Sequence, residues 1–446
     1  MSGWRLPLAL FAVVATTYLA TISADPSPDV YSADFAAAHI ARTGDPVPDI
    51  SEFPALDDNI IRETWIVETA DGREAIGRAP GVIAASVPAY FVMRPDGLSA
   101  IPGGVTAALL TAGSVTLLFL TLRRRAGTRL ALVAAGLLGL GTPMWSVAAD
   151  GMWPHTLTAF GIVGMAWAAS RDDDAWWQWW VVGLFGGVVL WGRLHAALIC
   201  AVVGVGVALA RRRPAVAVRV GLASGAMLGL MSVWTRWMYG SWDPSSGYRS
   251  GDFTGGVADR LTDWVNFSGF WVAPDRGLLI WTPVLLVMAV PLARAWRGLP
   301  DWSRALLVGG VLYLLAQGLL VRFSGGDAFY GYRTSLELVV CATPALALSA
   351  GEMRRVARAL FVPAALLQLA LIAPGAITDN LGLPVAEVWH ENAFVGGALH
   401  RPVVTLVPAG AVLLLGLMML VVDRRVGRSL PSAPAESAEV RSPGLP

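Results

Sequence analysis

Twelve long apolar stretches recur along almost the whole of this 446-residue chain, at roughly 5–23, 101–122, 129–148, 154–170, 176–191, 194–210, 214–235, 277–296, 304–321, 334–350, 358–374 and 403–422. About 20 apolar residues in a helix are needed to cross the hydrocarbon core of a bilayer. A water-soluble fold would have to bury all twelve, and 55% apolar against 15% charged residues leaves too little polar sequence to cover such a core. The same balance excludes a disordered chain. The expected fold class is therefore an all-α polytopic membrane protein with about twelve transmembrane helices. The opening segment, MSGWR and an apolar run, has the outline of a signal peptide. Because apolar runs follow throughout, it is read as an uncleaved first span.

Arginine orients the spans, since cytoplasmic flanks collect positive charge. All 33 basic residues are Arg. They cluster at Arg123, Arg124, Arg125 and Arg129, at Arg211 to Arg213, at Arg294, Arg297 and Arg304, at Arg354, Arg355 and Arg358, and at Arg424, Arg425 and Arg428. Every alternate loop is marked, so both ends are expected in the cytoplasm of a multi-pass cell-membrane protein. The segment 80–94 holds Pro80 and Pro88 and is short. Counting it as a span would turn the later Arg clusters outward, so it is expected in the outer interface or as a re-entrant segment. This topology gives a membrane domain over 1–428, with a long extracytoplasmic first loop (24–100) carrying interfacial helices and further outer loops at 236–276 and 375–402. The Pro/Ser/Glu-rich tail, 429–446, reads as disordered.

The polar chemistry is unevenly placed. The first outer loop holds 13 of the 32 acidic residues, and all five histidines (His39, His155, His195, His390, His400) fall on or beside the outer side. Any site is expected there. Net charge is +1, which provides no bulk field for nucleic acid. Cys200 and Cys341 sit in apolar runs, which argues against a disulfide framework or a thiolate metal site.

Asp25, Asp29 and Asp34 follow the first span directly. A carboxylate just above a membrane can act as a general base on a hydroxyl. Asp29 precedes an Ala-rich stretch and equally suits a helix N-cap. Asp150 stands at the outer end of the third span, and His155 follows it. Arg193 and His195 occupy a tight outer turn, Arg249 and Arg276 a large outer loop, and Arg322 and Arg333 bracket FSGGDAFYGY. Outer arginines run against the topological bias and ask for anionic partners, either a phosphate or nearby acids such as Asp275, Asp327 or Glu337.

Several segments together resemble the GT-C superfamily of integral membrane glycosyltransferases, in particular its bacterial branch of protein O-mannosyltransferases and lipid A aminoarabinose transferases. They are Asp29 with its Ala-rich helix and Gly44-Asp45, then DGREAIGRAPGVIAASVPAY, GTPMWSVAADGMWPH, WMYGSWDPSSGY, APDRGLLIWTPVLL and FSGGDAFYGYRTSLELVVCATP. Ala79 and Tyr332 replace prolines of the family pattern. The resemblance implies a sugar donor on a polyprenyl phosphate and a glycan, glycolipid or protein acceptor in the cell envelope. It also implies direct displacement with inversion. Residue by residue it gives Asp29 the base role, with Asp25 as its rival, and makes Asp150 the second acid. Arg333 becomes the donor-phosphate ligand, and Arg276, from its place in the outer loop, is the next candidate for that role. His155, Arg193, His195, Arg249 and Glu337 are secondary candidates. A divalent cofactor such as Mg or Mn stays open, because two carboxylates are a sparse set for an octahedral ion. The alternative reading is a transporter or flippase of a lipid-linked glycan.

Overall fold

The computed structural model describes residues 3–24, 27–47, 65–171, 175–248, 260–379 and 381–429. Asp25, Arg249 and the tail from 430 lie outside them. The fold is nearly all helix. In chain order come α1 (Arg5–Leu19), α2 (Pro28–Thr43), a small antiparallel hairpin of β1 (Ile66–Glu68) and β2 (Glu74–Ile76), and α3 (Pro80–Met93). Then follow α4 (Ile101–Leu140), α5 (Pro154–Ala169), α6 (Gln178–Gly192), α7 (Ala197–Arg211), α8 (Pro214–Tyr239) and α9 (Trp264–Val272). The remainder is α10 (Leu278–Trp281), α11 (Val284–Ala295), α12 (Asp301–Leu320), α13 (Leu336–Leu348), α14 (Arg355–Ile377), α15 (Ala393–His400) and α16 (Pro402–Ser429).

Each of the twelve expected stretches has a helical counterpart, but the boundaries differ where backbone chemistry intervenes. The second and third stretches join into the single helical run α4, broken only at Gly127, whose φ of +76° and ψ of +164° lie outside the helical region. The third stretch also stops at Leu140 rather than 148. Gly141 ends it, and Met144–Ala148 forms a π-helical turn instead. The eighth is cut into α10 and α11 at Thr282-Pro283, because proline offers no N–H to continue the first helix. Counting α4 once, six described helices are long and apolar enough to cross a membrane.

Two packed regions organise the chain. The larger core is built from α1, α4 to α7 and α12 to α14, with small residues letting helices approach; Gly161, for example, lies where a side chain would strike the α6 backbone. The smaller core joins α2, the hairpin and α3 through Phe35, Ile76, Val82, Ile83 and Tyr90, and ties them to α8 through Met238 and Tyr239. Leucines, valines and methionines stay exposed along α8 and α16, including Leu222, Leu230, Leu414 and Met419. Apolar exposure on this scale needs a partner phase, and a bilayer supplies one.

Candidate active site

Ser27 starts α2, its hydroxyl accepting a hydrogen bond from the Asp29 N–H at 3.4 Å, and Pro28 fills the first turn, where a missing N–H costs nothing. Ser27, not Asp29, is thus the cap. Asp29 stands one step inside the helix, where its charge is favourable against the N-terminal dipole and its carboxylate remains available.

That carboxylate meets Arg333. The Arg333 Nη1 donates to Asp29 Oδ2, and Nη2 donates to the carbonyl of Gly325. The Arg333 guanidinium lies 4.7 Å from the centre of the Trp153 ring and 4.6 Å from that of Phe329, within cation–π range of both. Gly325 and Gly326 hold φ of +67° and +91°. A Cβ on either would stand 3.3 Å from an Arg333 nitrogen, so this loop needs glycine both for its turn and for the close approach. A second guanidinium, Arg78, donates to the main-chain carbonyl of Asp29 and covers the Trp65 ring at 4.1 Å. Two cations beside one carboxylate leave the cluster net positive. Burial works to raise the Asp29 carboxyl, but the charges of Arg333 and then Arg78 outweigh it and hold it below the ordinary value.

A second polar layer packs alongside. Glu337 Oε1 lies 2.8 Å from His155 Nδ1 and 4.0 Å from Arg193 Nη1, both acid and histidine being fully buried. Arg193 Nη1 donates to the Tyr313 hydroxyl at 2.8 Å, and the His195 ring stacks on Tyr313 with centroids 5.4 Å apart. The His195 Nε2 in turn meets Gln317 Oε1 at 2.5 Å.

Two cavities adjoin this cluster. One, of about 340 Å³, is basic: Arg193, Arg322 and Arg333 line it with Gln317, Ser324 and Thr334. The other, of about 580 Å³, is acidic: Asp150, Asp327 and Asp379 line it with Tyr31, Ser146 and Phe329. Phe329 faces the acidic cavity and carries Arg333, which faces the basic one, so the stacked pair forms the wall between them.

Of the residues expected from sequence, Asp29, Arg333, His155, Arg193, His195 and Glu337 therefore come together. Asp150 lines the acidic cavity, its Oδ1 accepting from the Ser23 N–H at 2.8 Å. Neither acid offered as an alternative partner for Arg333 pairs with it: Asp327 accepts from the Val385 N–H, and Glu337 is held by His155 and Arg193. Arg276 takes the second kind of partner expected for an outer arginine, a nearby acid. It is fully buried against Asp275 at 3.1 Å and donates to the carbonyls of Phe329, Gly331 and Leu383. That arrangement braces the loop carrying Arg333, and no part of Arg276 lines the basic cavity. Sequence reasoning missed Arg78, Tyr313 and Gln317. Arg78 lies in the quoted GREAIGRAP segment, and Gln317 is a polar residue inside an apolar helix, which is a signal in itself. Tyr313 sits one turn before Gln317, on the same face.

Among the described residues, the donor set does not fit a resident divalent ion. Asp29 is committed to arginines, Asp150 faces another cavity, and no group of three or more His, Cys, Asp or Glu side chains comes together among the described residues.

Burial pushes the Asp150 carboxyl up to about 7, against the opposing hydrogen bond from Ser23. A folded-state value above the unfolded one makes the folded protein bind the extra proton. Stability from this group is thus present at low pH and is lost as pH rises toward 7. Melting temperature in detergent is expected to fall between pH 5 and 7 and then level off. Asp150→Asn is expected to flatten that slope, and an unchanged slope would locate the titration elsewhere.

No protein-family model matches the chain, and no curated protein matches it. Among solved structures, it is similar to that of ArnT from Cupriavidus metallidurans bound to undecaprenyl phosphate, with 17% identity, a TM-score of 0.48, and coverage of 94% of this chain and 76% of that one. The apo state of the same protein is similar over the same shares, with 16% identity and a TM-score of 0.45.

Proposed function

We propose that this chain is a glycosyltransferase of the GT-C superfamily, moving a sugar from a polyprenyl-phosphate donor to a hydroxyl of a cell-envelope acceptor on the extracytoplasmic face of the membrane. The observation that carries the reading is the Asp29–Arg333 pair: its arginine lines the basic cavity, and Ser27 and Pro28, directly before its aspartate, line the acidic one. The motif resemblance and the alternating Arg loops support the same assignment and its orientation. A flippase needs a phosphate clamp but has no use for a carboxylate base bound to that clamp.

In this mechanism the donor phosphate enters the basic cavity and takes the guanidinium of Arg333, for which its oxygens suit the planar fork. Asp29 keeps Arg78 beside its backbone and becomes free to accept a proton. The acceptor hydroxyl approaches from the acidic cavity. Asp29 takes its proton, the hydroxyl oxygen bonds to the anomeric carbon, and the bond from that carbon to the phosphate oxygen breaks. The polyprenyl phosphate leaves with the electron pair, and Arg333 balances the charge that develops on it. A single displacement inverts the anomeric configuration.

Arg333 tests the reading. A bidentate contact to phosphate in a partly buried mouth is worth about 1.5–3 kcal/mol, or roughly 10- to 150-fold in affinity. Arg333→Ala is expected to weaken binding of a short-chain polyprenyl-phosphate sugar by that factor, and Arg333→Lys to recover part of it, keeping the charge but losing the fork. Equal binding by wild type and both variants, within twofold, would leave Arg333 as a support for Asp29 and remove the phosphate from this cavity.

A further inference from the structure

Gln317 has an amide group that the fold leaves half used. It sits near the end of α12, is completely buried, and lines the basic cavity. Its Oε1 faces the Nε2 of His195 at 2.5 Å. In this arrangement the amide oxygen accepts and the imidazole Nε2–H of His195 donates. That leaves the Gln317 Nε2, which is buried and has no hydrogen-bond partner among the described residues. Buried polar groups are nearly always hydrogen-bonded, and a rigidly held donor without a partner in a cavity wall calls for one from whatever enters.

The rigidity comes from the same polar layer. The His195 ring is stacked on Tyr313 at an interplanar angle of 4°, and Tyr313 is tied to Arg193 through its hydroxyl. Turning the amide to a new partner would give up its bond to this braced histidine. The cavity volume, about 340 Å³, falls within the range of small-molecule sites. Its remaining polar surface consists of cations and hydroxyls: Arg193, Arg322, Arg333, Ser324 and Thr334. Such a wall selects a head group rich in oxygen acceptors.

We infer that Gln317 is a specificity-determining residue whose amide N–H donates to an oxygen of the donor's sugar ring, while Arg333 holds the phosphate. This rests on the donor-site reading above and adds a separable property to it. Affinity should have a phosphate part that ignores Gln317 and a sugar part that depends on it.

The experiment compares a short-chain prenyl phosphate with a panel of its hexosyl and pentosyl esters, measured by binding to the full chain in detergent. Wild type is expected to bind at least one ester more tightly than the bare phosphate. Gln317→Met removes the donor at similar length and is expected to cut that preference roughly 2- to 10-fold, the size of one neutral hydrogen bond, with bare-phosphate affinity unchanged. Gln317→Leu likewise removes the donor without placing a charge beside the phosphate, so it should lose the same preference; it replaces Gln317→Met if that variant melts early. If the variants weaken both ligands equally, Gln317 only braces the Arg193–Tyr313–His195 arc and the inference fails. If neither ligand changes, water satisfies the amide and the inference also fails. If wild type binds neither the phosphate nor any ester, the donor-site reading itself falls.

Discussion

Asp29→Asn should reduce turnover by about 10²–10⁴-fold, the range of a general base, while leaving donor affinity within a few-fold of wild type. Asparagine keeps the size and one acceptor oxygen of aspartate, so α2, capped by Ser27, has no reason to unfold. It cannot take a proton, and it gives up the ion pair with Arg333. The loss of that ion pair makes the prediction sharper. An Arg333 no longer neutralised by Asp29 is freer to bind phosphate, so donor affinity should hold or rise as catalysis collapses. Steady-state transfer and equilibrium donor binding, measured side by side, separate the two effects. If Asp29→Asn retains full turnover, another group is the base and the pair is only structural. If instead binding and turnover fall together, Asp29 serves to hold Arg333 in place, and the chemistry must be sought at Asp150 in the acidic cavity.

Arg276→Ala is expected to destabilise the folded protein by about 3–5 kcal/mol, because removing one member of a buried pair strands the other charge. Asp275 is wholly buried, and its Oδ2 has Arg276 as the one cation at salt-bridge distance among the described residues. Burial raises the Asp275 carboxyl and the Arg276 charge opposes this, so removing the arginine drives the acid further toward its neutral form. Three carbonyls, of Phe329, Gly331 and Leu383, lose their donors at the same time. Two of these belong to the loop that carries Arg333, so donor affinity should drop as a secondary effect. The double variant Asp275→Asn, Arg276→Met removes both charges, keeps an acceptor for the Ala393 N–H, and should recover a substantial part of the lost stability. Unfolding in detergent checks both. An Arg276→Ala protein that melts like wild type yet binds no donor would return Arg276 to the phosphate role its sequence position suggests.

Much of this protein was legible in the linear chain because the governing quantities are local. Helix length and hydropathy are properties of consecutive residues, and every expected apolar stretch became helix. The concentration of acids and histidines in particular loops is likewise read directly, and six of the candidate residues did converge on one cluster. The boundaries that failed were set by backbone details the hydropathy pattern does not carry, such as the π-helical turn at Met144–Ala148 and the continuation of α4 through Gly127. What the chain alone could not decide was partnership. Arg333 had two acids close in sequence, Asp327 and Glu337, yet it pairs with Asp29, 304 positions away. The nearer acids are taken: Asp327 by a backbone N–H of the 381–385 segment, and Glu337 by His155 and Arg193. For Arg276 the sequence left a phosphate and a nearby acid such as Asp275 both open, and packing gives it Asp275 and three carbonyls. The same holds for Gln317, whose polarity inside an apolar helix signals a site but whose unused N–H exists only because His195 arrives from the turn between α6 and α7 to hold the oxygen. Hydrogen bonds and ion pairs act over about 3 to 4 Å in space, whatever the separation along the chain. Their partners are therefore chosen by how the helices pack, and that is settled by the tertiary structure.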